Sequence, residues 1–276
     1  VIQKIAYFAI PVQVAEKKNK NKQYKPILDG IPDWPVYRLS KNRKEFIEEV
    51  SQYTFAQIKQ ARPTTKQLVE ELEATVYREQ QRMKRNRWRV DPKDEPTYWA
   101  GIKQELAGLG DNLSEEAQAK ADDILYRIIY RYGDEIAGNF KSSSYQMARA
   151  LLRFWFSRLL NGARVKKFGA FFRSQYTLRD KIHLVGKVKQ LRKLAKIGTV
   201  VMVPTHFSNL DSVLIGWIIH SLSLPAFIYG AGLNLFNIKA FAYFINSLGA
   251  FKLDRRKKNV PYLETLKAYS TLAIQK

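Results

Sequence analysis

Cysteine is missing from all 276 residues. That excludes a disulfide framework, a thiolate nucleophile and a cysteine-type zinc site. Histidine is nearly as scarce: His183, His206 and His220 are the only three, and they are too scattered to suggest a metal centre. Long apolar runs are missing too. Residues 1–14 are apolar but short and interrupted by Lys4, Pro11 and Gln13, so they do not read as a membrane span. They also lack the charged leader and small-residue cleavage site of a signal peptide. Residues 212–233 come closer to a span, but Pro225, the polar His220, Ser221 and Ser223, and the strand-like run 226–229 divide them into helix, turn and strand. Gly230-Ala231-Gly232 lacks the third glycine of a dinucleotide loop, and no Gly-Lys-Ser/Thr follows. Acidic residues are few, with 25 Asp and Glu against 47 Lys and Arg, for a net charge of +22. Between residues 141 and 200 a single acid, Asp180, faces fifteen Lys and Arg. Such a field calls for a polyanionic partner: nucleic acid, an anionic membrane surface or phosphorylated substrates.

What is present suffices for a sizeable core, since 46% of the residues are hydrophobic and 13% aromatic. One or two globular domains are expected. The basic stretch 17–25 and the turn-rich segment through Pro26, Gly30, Pro32 and Pro35 carry no assigned role. Apolar positions at helical spacing, Phe46, Ile47, Val50 and then Leu68, Leu72, Val76, predict two helices separated at Pro63, the second capped by Thr64 or Thr65. Two more are predicted over 98–109 and 114–132, the latter opening at Ser114. Residues 1–140 therefore read as an all-helical N-terminal domain and 141–276 as a second domain. The run 82–89 (RMKRNRWR) is read as a solvated helix end, with a nucleic-acid contact as its alternative. Leu151 to Leu160 interleaves aromatic and cationic side chains, the pattern of a helix lying in a membrane interface or packing on a neighbouring domain.

The most organised stretch starts near residue 182. A short strand (182–185), a basic amphipathic helix (187–196) and a β-branched run (199–203), read as a buried strand that Pro204 stops, lead into a loop holding His206. Ser208 or Asn209 then caps a helix whose first turn holds Asp211. A histidine just outside a helix and an aspartate inside its first turn can face each other across the bend. An imidazole so placed is suited to act as general base on a hydroxyl, with the carboxylate fixing its tautomer. The plainer reading is a loop histidine beside a helix-capping acid. His183 and His220 read as structural. Strands at 226–229 and 248–253 complete an α/β pattern, a mixed sheet flanked by helices.

The block from His206 to Asp211, followed by Gly249-Ala250-Phe251-Lys252-Leu253-Asp254-Arg255, resembles the glycerolipid acyltransferase family, with its His-x4-Asp and Gly-x-Phe-x-x-x-Arg blocks. Gly232-Leu233-Asn234-Leu235 and Leu248-Gly249-Ala250-Phe251 are most similar to the glycerol-3-phosphate and dihydroxyacetone-phosphate branch. The resemblance covers about residues 180–276. It implies an acyltransferase-like core over 141–276, with His206 as catalytic base and Asp211 as its orienting carboxylate. It implies Arg255 as the phosphate-binding arginine, Gly249 and Phe251 as further substrate-binding positions, and Arg256 and Lys239 as weaker candidates. The acyl donor would be acyl-CoA or an acyl carrier protein, with no resident cofactor and no metal. The acceptor would be the sn-1 hydroxyl of glycerol 3-phosphate, with lysophosphatidate as the alternative. The implied place of work is an anionic membrane surface on its cytoplasmic face, with no nucleic acid as partner. Two departures stand out. Asp254 precedes Arg255 where the glycerol-3-phosphate pattern is more basic. The third family block (Phe-Pro-Glu-Gly-x-Arg-like) is absent, and with Val1 as first residue and Lys276 ending a helix, a fragment cut at both ends is expected. The competing class is a non-enzymatic basic protein that binds membranes or nucleic acid.

Overall fold

The computed structural model describes residues 24–109, 114–161, 182, 184–205, 210–237 and 239–276. The chain divides into two compact units, Val1–Trp34 with Tyr145–Ala226, and Pro35–Ser144 with Phe227–Lys276. This differs from the division expected at residue 140. The physical reason is that the last helix of the chain supplies part of the core of the first helices.

The larger unit is a helical bundle with a small βαβ element. After α1 (Pro35–Lys41) come α2 (Arg43–Ala61) and α3 (Thr65–Arg85), then α4 (Glu95–Ala107) and α5 (Glu115–Ile136). Pro63 separates α2 from α3, because proline disfavours helical backbone in the residue before it. Thr64 then starts α3 with a capping box, its hydroxyl accepting from the Gln67 N–H at 3.3 Å while the Gln67 side chain accepts from the Thr64 N–H. Ser114 caps α5 by accepting from the Ala117 N–H at 3.2 Å. Both caps satisfy amides that have no partner within the helix. The core lies along Ile47, Leu68, Leu72, Trp99, Ile128 and Tyr132, all at most 1% exposed.

Into this core comes α10 (Val260–Gln275), which packs on α2 and α5 through Tyr262, Tyr269 and Leu272. Asn259 caps it by accepting from the Tyr262 N–H at 2.9 Å. Before it run β1 (Tyr229–Gly232), a 3-10 turn (Leu233–Asn237), α9 (Lys239–Ser247) and β2 (Ala250–Leu253). The strands pair in parallel from Tyr229↔Ala250 to Gly232↔Leu253. Parallel pairing needs a crossover, and α9 is it. Gly230-Ala231-Gly232 thus lies in a strand. Gly249 has φ +90, and a Cβ there would stand 2.4 Å from Val36 Cγ2.

The smaller unit contains most of α6 (Ser142–Asn161), together with α7 (Val188–Leu194) and α8 (Leu210–Ser221). Trp217 is buried and packs with Ile182, Leu184, Leu214 and Ile218. Arg192 donates to the Leu222 carbonyl and, at 2.5 Å, to that of Lys25, beneath the Tyr24 ring 4.8 Å away. Of the interfacial stretch expected at 151–160, Leu151 and Phe154 are exposed on α6. No described helix is long and apolar enough to cross a membrane.

Two strand expectations are corrected here. Residues 199–203 form no strand among the described residues, and Val201 and Val203 are 56% and 87% exposed. Residues 182, 184 and 185 form none either. A β-branched composition suits a pleated, half-buried surface, and it produces a strand only where a neighbour takes up the ladder.

Candidate active site

The two halves of the motif fall in different units of the chain. In the smaller unit Asp211 stands in the first turn of α8, half-buried. His206, Ser208 and Asn209 lie outside the described residues, as does His183. His220, at the end of α8, has its Nε2 3.0 Å from an Arg149 guanidinium nitrogen, consistent with a structural role.

The second motif is built on β2 in the larger unit. Gly249 leads into the strand with left-handed backbone and lies against Val36 and Phe140, so the absence of a side chain is a packing requirement there. Phe251 points into the helical core, its ring 5.3 Å from that of Tyr269. Beyond the strand the chain turns through residues 254–259. Asp254, Lys257 and Asn259 are buried, whereas Arg255 and Lys258 are exposed. Lys239 opens α9.

The adjacent arginines take opposite roles. Arg256 binds Asp254 in a fork, Nε to Oδ1 at 2.9 Å and Nη2 to Oδ2 at 2.8 Å. It also binds Asp91 in a fork, at 2.5 Å from Nη2 and 3.0 Å from Nη1, and gives a further hydrogen bond of 2.7 Å to the Asn86 carbonyl. Every donor is used, leaving none for a substrate. Arg255 makes no such contacts among the described residues, and its exposed guanidinium stands just beyond the carboxyl end of β2. That is where ligands of parallel sheets bind.

Asp91, the partner of Arg256 from the far side of the turn, was not singled out in the sequence. Asp91 also accepts from the Trp88 N–H at 2.7 Å and from Arg82 at 3.2 Å. Arg82 reaches Glu79 at 2.7 Å and Glu95, while Lys257 reaches Glu135 at 2.5 Å. Asn259 donates to Glu79 at 2.6 Å and to the Tyr132 hydroxyl at 3.0 Å. Burial would push the Asp91 carboxyl up, but the hydrogen bonds from Arg256 and Trp88 and the charges of Arg256 and Arg82 override it and hold the group below the usual range. For Glu95 burial wins, and its pKa is raised despite Lys257 and Arg82. Arg82 and Trp88 are therefore not part of a solvated helix end; Lys84, Arg85, Arg87 and Arg89 remain exposed. One sequence signal could have found the cluster. Leu68, Leu72, Thr75, Val76, Glu79 and Arg82 form one continuous buried stripe of α3, so charges at its end had to be paired inside the protein.

Among the described residues no group of His, Asp and Glu is placed to hold a metal ion. Residues 186–273 match the family model described as Acyltransferase. No curated protein and no solved structure matches the chain. The match takes up the C-terminal third of the chain. All the motif residues, His206, Asp211, Gly249 and Arg255 included, fall inside it.

Proposed function

We propose that the chain transfers a fatty acyl group from an acyl thioester, acyl-CoA or an acyl carrier protein, to the sn-1 hydroxyl of glycerol 3-phosphate. His206 takes the hydroxyl proton as the oxygen attacks the thioester carbonyl, and Asp211 holds the imidazole in the required tautomer. The tetrahedral intermediate collapses by expelling the thiolate, which receives that proton, so ester and free thiol are the products. Arg255 grips the acceptor phosphate with two parallel hydrogen bonds. The chemistry calls for no resident cofactor. The fold that goes with this reading is an α/β core, a mixed sheet flanked by helices.

The observation that carries the proposal is the state of Arg255. Within a segment that matches the acyltransferase family, the arginine at the phosphate-binding position is exposed, while its neighbour is fully engaged. Asp254, the acid that departs from the glycerol-3-phosphate pattern, is spent on Arg256 and does not compete for a phosphate. The cation-rich stretch 141–200 and the exposed Leu151 and Phe154 support work at an anionic membrane surface, on its cytoplasmic face.

The test is acyl transfer by the whole chain from acyl-CoA and, separately, acyl carrier protein. Glycerol 3-phosphate and lysophosphatidate serve as acceptors, with His206→Ala as the control. Lysophosphatidate made by the wild type and lost in the variant supports the reading. Turnover of lysophosphatidate alone moves the activity to the second acylation step, and no transfer to either acceptor sinks it.

A further inference from the structure

The turn after β2 alternates between anchored and free residues. The Asp254 N–H donates to the Tyr262 hydroxyl at 2.7 Å, and the Arg256 N–H to Asp254 Oδ1 at 3.0 Å. Lys257 and Asn259 are held by Glu135, Glu79 and Tyr132. Arg255 and Lys258 alone point outward with their side chains exposed. A further anchor, that of Arg256, reaches across 165 residues of sequence to Asp91, in the loop between α3 and α4. From the same loop, the Trp88 ring lies beneath the Arg256 guanidinium, 3.9 Å from its carbon.

A buried set of charges with this much desolvation is a weak source of net stability, since well-packed apolar residues in its place are often as good. What paired forks and a stacked ring do supply is geometry: each fixes the plane of the guanidinium as well as its position. With the Arg256 backbone so fixed, its neighbour has little freedom in where its own side chain starts.

We propose that Asp91 and Trp88 are positioning residues for anion recognition: by clamping Arg256 they hold the 254–258 turn so that Arg255 presents its guanidinium to the phosphate of the acceptor. The helical segment before residue 144 is then part of the acceptor site. This inference rests on the reading of Arg255 given above.

The decisive variant is Asp91→Asn, which keeps the shape and removes the charge, with Asp91→Glu as its conservative rescue. Glycerol 3-phosphate binding to the whole chain is measured by calorimetry, KM and kcat by acyl transfer, and amide exchange of residues 254–258 by mass spectrometry. The expected result is faster exchange of the turn, weakening of glycerol 3-phosphate binding and a rise in its KM of about tenfold, with kcat and the KM of the donor within twofold. In an Arg255→Ala background the same substitution changes neither binding nor KM, because the two act through one contact. Equal affinity for glycerol 3-phosphate in wild type and Asp91→Asn overturns the inference. So does a loss of thermal stability and kcat with KM unchanged, which a merely structural role produces. A wild type that binds glycerol 3-phosphate without turning over sinks the acyltransferase reading only. The binding comparison then decides the clamp in the same two directions.

Discussion

The guanidinium carbon of Arg256 sits 3.9 Å from the centre of the Trp88 ring, two residues adjacent in space and 168 apart in sequence. The stacking, together with both carboxylate forks, makes Arg256 an internal residue although its chain neighbour Arg255 is exposed. The two arginines should therefore fail differently. Arg256→Ala leaves Asp91 and Asp254 buried without their common cation and should cost about 3–5 kcal/mol of stability, read by urea or thermal unfolding. Arg255→Ala should leave unfolding within about 0.5 kcal/mol of wild type and weaken acceptor binding, read by KM for glycerol 3-phosphate.

Gly249→Ala should destabilise the larger unit. Its backbone is left-handed, and the added carbon would meet Val36 Cγ2 at 2.4 Å. Strain of this kind costs about 1–3 kcal/mol, and the shift in the urea midpoint measures it. Val36→Ala in the same protein should recover part of the loss by relieving the clash.

The buried ion cluster gives stability a defined dependence on pH. The Asp91 carboxyl is held low in the folded protein by Arg256, Trp88 and Arg82. Its contribution is complete above the unfolded-chain value, about 3.9, and is lost as pH falls through the lower folded value. Glu95 acts in the opposite sense. Burial raises its pKa, so the folded state binds the proton more tightly than the unfolded chain, and protonation relieves a penalty as pH falls. Urea unfolding between pH 7 and pH 3 should accordingly show a shallower acid loss in Asp91→Asn and a steeper one in Glu95→Gln.

Membrane binding and turnover should separate. Reversal of Arg153 and Arg158 to Glu should lower binding to vesicles containing anionic lipid, and the deficit should shrink as salt rises. His206→Ala should bind the same vesicles as wild type yet lose at least about a hundredfold in turnover. Sedimentation with vesicles and the acyl-transfer assay read the two effects.

Much of this protein is written in local pattern. The helices α2 to α5 follow from apolar spacing, Pro63 and the hydroxyl caps of Thr64 and Ser114, because helix start, stop and buried face are decided within a few residues of each position. The run into β2 and the helix that closes the sequence were legible for the same reason. The place of Asp211 in the first turn of its helix was legible as well. Local pattern misled where a partner was needed. Residues 199–203 have the composition of a strand, but no ladder neighbour accompanies them among the described residues. Arg255 and Arg256 are identical letters side by side, and nothing within ten residues tells which is anchor and which is free. That was decided by Asp91 and Trp88, brought to the turn by the packing of α10 against α2 and α5. A charge can be buried only where its counter-charge arrives, and the arrival of a residue from a distant part of the chain is a property of the tertiary structure alone.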